Sequence, residues 1–136
     1  VGRIDMIGTD PRKEYLKQEV MTASPAELVA MLYSACIKNL KLAVMASEDT
    51  RDICAINNYL IKAQKVIIEL MNSLDMNIEL SGQLLNVYEF MLKELRSANV
   101  KKDLSNIEPI TTMLESMRET WYSVAQQQRR SMAEGF

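Results

Sequence analysis

Histidine is absent from the 136 residues of this chain, and glycine (4), proline (3) and cysteine (2) are scarce. Without histidine, the usual zinc constellations and the commonest general base are both missing. Single carboxylates such as Glu69, Glu79 and Glu89 fall on the polar faces of expected helices, where lone acids are solvated. No enzyme activity, metal or cofactor is therefore expected. Cys36 and Cys54 lie inside expected helices and read as small, buried, reduced hydrophobes rather than as a disulfide. No run of 18 apolar residues exists, so nothing is expected to span a membrane. The first twenty residues also lack the apolar core of a secretory signal, which points to the cytoplasm. A net charge of −2 leaves no electrostatic footprint for nucleic acid, and Lys101-Lys102 and Arg129-Arg130 read as solvated helix ends.

What is present is apolar and helical. The length suits one domain, and 48% apolar with 25% charged residues suits a globular one. Glycine stands only at positions 2, 8, 82 and 135 and proline at 11, 25 and 109, so the middle of the chain is nearly free of breakers. No window alternates like a strand, and the fold class is all-α. Helix 1 is expected from Pro25 to about Met45, with Ser24 as N-cap and Glu27 closing an S-x-x-E capping box. Helix 2 is expected from about Asp52 to Leu74 and helix 3 from about Leu80 to Ala98. Helix 4 starts near Leu104 or Asn106, or kinks at Pro109, and ends near Gln127. Short connections make neighbours antiparallel, giving an up-down four-helix bundle over residues 23–128. Residues 1–22 read as a mobile leader and 129–136 as a tail.

The helices carry more apolar surface than one stripe needs. Helix 1 has a main stripe of Leu28, Met31, Leu32, Ala35, Leu42 and Ala43, and a second of Val29, Tyr33, Ile37, Leu40 and Val44. Helix 2 buries Ile53, Ile56, Leu60, Ala63, Ile67, Leu70 and Leu74, flanked by Ile61 and Ile68 on one side and by Tyr59 and Val66 on the other. Helix 3 stacks Leu84, Val87, Tyr88, Met91 and Leu95, with Leu85, Phe90 and Leu92 outside that line. Either helix 1 sits centrally and both its stripes are core, or some of the excess forms grooves for a partner. Ten methionines suit an adaptable binding surface, although most methionines in bundles are filler.

The segment V-M-T-A-S-P-x-E-L-V-x-M-L-Y (Val20 to Tyr33), with Tyr15 five residues upstream, closely resembles the N-terminal signature of the FliS family of flagellar export chaperones. Four further segments follow in the usual order of that family. They are I-x-E-L-x-x-S-L-D (Ile67 to Asp75), V-Y-E-F-M-L-x-x-L (Val87 to Leu95), A-N-V-K-K-D (Ala98 to Asp103) and M-R-E-T-W (Met117 to Trp121). Together they cover residues 15–122.

The resemblance implies an antiparallel bundle that binds the disordered C-terminal segment of flagellin in the cytoplasm. The client would become helical over apolar grooves, which would block premature polymerisation and keep it competent for export. The export gate and flagellar regulators are further partners the resemblance allows. It also implies that Tyr15, with Val20 and Met21 beside it, plugs part of the client site. Ile7 adds an apolar contact where the family's N-Y-x-x-Y-like run is replaced by TDPRKEY. Tyr59, Ile61, Val66, Ile68, Leu85 and Leu92 are expected to line the groove. Ser34-Ala35 stands where family members often have Asp-Gly, which favours an uninterrupted helix 1. The competing expectation is a self-associating bundle with no flagellin client, in which the excess stripes close a homodimer; otherwise the chain is a monomer or weak dimer.

Overall fold

A computed structural model describes residues 11–14 and 23–134. The described residues form four long helices: α1 (Pro25–Asp49), α2 (Ile53–Asn72), α3 (Glu79–Lys101) and α4 (Ile107–Glu134). Residues 11–14 form one exposed helical turn, where no helix was expected. Proline suits the start of such a turn because its fixed φ is already helical.

α1 starts as its sequence dictates. The Ser24 side chain accepts the Glu27 N–H at 3.2 Å, and Pro25 occupies the first position, where an N–H would go unused. The Glu27 carboxylate reaches across to α4 and pairs with Arg129, so the start of α1 is tied to α4. α1 continues four residues past the expected Met45, because no breaker intervenes. It ends where Arg51 turns left-handed at φ 53° and its N–H bonds the Ala46 carbonyl at 2.7 Å. Asp52 caps α2, accepting the Ala55 N–H at 3.2 Å.

α3 likewise runs three residues beyond Ala98, to Lys101, before Lys102 turns left-handed at φ 53°. The Lys102 ammonium holds that turn by donating to the Asn99 carbonyl at 2.5 Å and to Asn99 Oδ1 at 2.7 Å. Asn99 in turn donates to Asn57 Oδ1 on α2 at 3.0 Å. α4 begins at Ile107, so Pro109 falls in the first turn, where no intrahelical bond is lost and no kink is needed. It runs to Glu134, through the segment expected as a tail, because Gln126–Glu134 contains only residues compatible with a helix and the next residue is Gly135.

α1 is the central helix. It packs against α2 on one side and α4 on the other, α2 packs against α3, and α3 meets α4 only weakly. By length and composition α1 is apolar enough to cross a membrane, but here its apolar face is wedged between two neighbours. That wedging rotates its buried line from the expected one. Tyr33, Cys36, Ile37, Leu40 and Ala43 are enclosed, whereas Leu28 at the outer edge is 37% exposed. The α2 stripe of Ile56, Leu60, Ala63, Ile67 and Leu70 is core, but Ile53, in the first turn, is 60% exposed and lies beyond its reach. Cys36 is buried against the Ala63 carbonyl, and burial pushes its thiol up to about 12. Cys54 is exposed, contrary to expectation, because it faces outward in the first turn of α2.

Candidate functional site: the open edge between α3 and α4

Among the described residues the bundle closes on three edges and stays open on the fourth. Along the open edge, two adjacent hollows share one wall built from Leu80, Leu84 and Trp121. One hollow, of about 260 Å³, is completed by Met117, Thr120 and Val124 of α4. The other, of about 220 Å³, runs under the α2–α3 turn and is bounded by Val29, Leu74, Ile78 and Tyr88. The first hollow is almost wholly apolar, and Ser73, Asp75 and Ser81 add polar groups to the lining of the second. Ile78 and Leu80, which line the hollows, are each more than half exposed, as is Met76 in the α2–α3 turn, and Phe90 of α3 is 49% exposed. Water gains little from such a surface, and a contiguous apolar patch of this kind on a protein marks a place for a partner.

Beneath the hollows lies a polar cluster. Trp121 Nε1 donates to the Tyr33 hydroxyl at 3.3 Å, and the Tyr33 and Tyr88 hydroxyls are hydrogen-bonded to one another. The two rings lie 6.4 Å apart at 44°. Burial pushes both hydroxyls above the usual tyrosine range, so neither ionises near neutral pH. One residue from each of α1, α3 and α4 is thereby joined in a fixed arrangement where α3 and α4 otherwise scarcely touch.

The residues expected from sequence distribute differently. Ile61 and Ile68 are exposed on the outer flank of α2, and Leu85 is half-buried on α3. Tyr59 and Val66 are partly buried and pack against the core. Leu92, at 6% exposure, packs within the core. Ile7, Tyr15, Val20 and Met21 lie outside the described residues. Leu80, Leu84, Met117, Trp121 and Val124 were not among the expected site residues. Helical phase placed Leu84 on an inward stripe, and nothing in one helix announces that the facing helix stands off. The signal available was the apolar flank of helix 4, where Met113, Met117, Trp121 and Val124 recur at helical spacing.

Two other depressions among the described residues carry charged side chains. The hollow between α1 and α4 is crossed by the Glu27–Arg129 pair, and the one between the α1–α2 and α3–α4 turns is lined by Arg51, Lys102, Glu48 and Asp103. Among the described residues no group of acidic or cysteine side chains is placed to hold a metal ion.

Comparison with known proteins gives the family. The profile described as "Flagellar protein FliS" matches residues 8–128. Similar proteins include the flagellar secretion chaperone FliS of Bacillus subtilis (strain 168), 36% identical over 121 residues, covering 89% of this chain and 90% of the relative. That of Salmonella typhimurium (strain LT2) is 29% identical over 113 residues, covering 81% and 83%. That of Escherichia coli (strain K12) is 24% identical over 112 residues, covering 78% and 79%. A chain that matches this profile over most of its length, with relatives named as flagellar secretion chaperones, belongs to the FliS family of flagellar proteins.

Proposed function

We propose that this protein is a cytoplasmic export chaperone whose client is the C-terminal segment of flagellin, and that the client seats on the open α3–α4 edge. The observation that carries this reading is the pair of apolar hollows on either side of the Leu80–Leu84–Trp121 wall. An amphipathic helix places side chains at i, i+3, i+4 and i+7 into a cleft of this kind, and two adjacent hollows suit two such anchors. Ordering a disordered client costs several kcal/mol of the gross contact energy, so a long apolar surface is required. The rim of Met76, Ile78 and Phe90 extends the surface along α3, and Ile61, Ile68 and Leu85 offer a second flank for a client that wraps further round. Tyr15, Val20, Met21 and Ile7 act as the leader that covers part of this edge before the client arrives. A client held this way stays unpolymerised and available for export.

Titration calorimetry against the C-terminal peptide of the flagellin from the same organism, with circular dichroism alongside, tests the reading. Binding is expected with a negative heat-capacity change and a gain in helicity. L80E and V124E, which put charge on the open edge without filling the core, are expected to weaken binding at least about tenfold. Equal loss from I61E and none from L80E would move the client to the α2 flank. A stable dimer that ignores the peptide would favour the self-associating bundle.

A further inference from the structure

The two hollows of the open edge differ in charge. Among the described residues, no charged side chain lines the hollow completed by Met117, Thr120 and Val124, and Asp75 is the one that lines the hollow under the α2–α3 turn. Asp75 is exposed, so an occupant entering the mouth of that hollow meets its carboxylate. Oδ1 accepts the Asn77 N–H at 3.0 Å, and Asp75 makes no ion pair among the described residues. Neither Ser73, whose hydroxyl donates to the Leu70 carbonyl at 2.7 Å, nor the enclosed Ser81 bonds the carboxylate. The surroundings are acidic as well. From Val66 to Leu92 the chain carries Glu69, Asp75, Glu79 and Glu89 but no lysine or arginine. On the facing helix Arg118 is turned to α1, where it donates to Ser34, and Arg129 pairs with Glu27. An occupant that covers this mouth with apolar or acidic groups takes water from Asp75 and returns nothing. One that brings a cation forms a pair and is favoured over its rivals.

Resting on the client reading above, we propose that the flagellin segment in this groove places an apolar residue in the first hollow and a lysine or arginine in the second, one helical turn apart. The aliphatic stem of the basic residue lies along Leu74, Ile78 and Leu84, and its charged head meets Asp75 at the mouth. The shared wall of Leu80, Leu84 and Trp121 keeps the hollows adjacent, and residues three or four apart on a helix stand about 5–6 Å from one another on one face. Asp75 thereby sets the register of the client. Sliding the helix by a turn would bring the apolar anchor against a carboxylate and the cation into an uncharged hollow.

The test is calorimetry of the full chain, D75N and E79Q against the flagellin C-terminal peptide, and against peptides in which each lysine or arginine is replaced singly by methionine. D75N keeps an oxygen for the Asn77 N–H, so the turn is retained. Glu79, in the first turn of α3, carries the same charge but lines neither hollow. D75N is expected to bind about fivefold more weakly, and E79Q within about twofold of the parent. One basic position of the peptide is expected to cost about fivefold against the parent and almost nothing against D75N. The D75N loss is expected to shrink as salt is raised from about 0.05 M to about 0.5 M. Equal losses in D75N and E79Q would overturn the inference, because they would show a general attraction with no seat at Asp75. Unchanged binding by D75N, or a peptide in which no basic position couples to it, would overturn it too. No binding by the parent, or binding that L80E leaves intact, would remove the client reading itself, an outcome distinct from all of these.

Discussion

The Tyr33 hydroxyl on α1 meets the Tyr88 hydroxyl on α3 inside the core, and Trp121 of α4 donates into the same oxygen. Removing the Tyr33 hydroxyl strands the Trp121 indole N–H, and removing the Tyr88 hydroxyl takes from the enclosed Tyr33 hydroxyl its partner on α3. Y33F and Y88F are therefore each expected to cost about 1–3 kcal/mol, read from urea unfolding midpoints at constant slope. A negligible loss in Y88F would show that the Tyr33 hydroxyl does not depend on Tyr88.

Alkaline pH should weaken the fold. Burial raises the Cys36 thiol to about 12 from an ordinary 9.0, and it raises Tyr33 and Tyr88 as well. Each of these groups is neutral when protonated and binds its proton more tightly in the folded state. Its contribution is complete below the unfolded pKa and is lost as pH rises through the folded one. Unfolding free energy is expected to be level between about pH 7 and 8.5 and to fall above about pH 9, with the first part of that fall reduced in C36A. Stability that stays level to pH 11 would contradict the burial of all three groups.

Two isoleucines one position apart from core residues separate the inner and outer faces of α2. Leu60 and Ile67 are fully enclosed, while Ile61 and Ile68 are 36% and 37% exposed. L60A and I67A are expected to cost about 2–5 kcal/mol through lost burial and a residual cavity, whereas I61A and I68A should cost under about 1 kcal/mol. Thermal unfolding of the four variants checks the phase of the helix. A reversed order would mean that α2 is rotated.

Arg51 is a non-glycine residue held at φ 53°, and its side chain is exposed. The left-handed conformation costs an L-residue about 1–2 kcal/mol, and glycine gives back part of that gain through its greater freedom when unfolded. R51G is expected to stabilise the protein by about 0.5–1 kcal/mol, seen as a higher melting temperature. The same change at Lys102 should gain less or lose, because that side chain bonds Asn99.

Much of the fold was legible in the sequence because its signals are local. Ser24, Pro25 and Asp52 start helices through caps that involve only their own neighbours, and the scarcity of glycine and proline lets four helices run long. Helix ends were less legible. α1 and α3 each overran the expected limit until a basic residue turned left-handed, a conformation that residue identity alone does not predict. The FliS signature segments carried the family, and phase placed the two helix 2 isoleucines beside the buried stripe without deciding whether they were covered.

The location of the open edge is a tertiary fact. Leu84 and Trp121 are apolar residues on inward-looking stripes of α3 and α4, and in a closed bundle they would be ordinary core. They line hollows because α1 draws α2 and α4 to itself while α3 packs chiefly on α2, so the fourth edge is left unfilled. Leu92, off the main stripe of its own helix, is nevertheless enclosed in the core. The sequence by itself determined four amphipathic helices, their starts and the family. Which apolar face is covered and which is left open depends on how far apart neighbouring helices stand, and only the packed structure decided that.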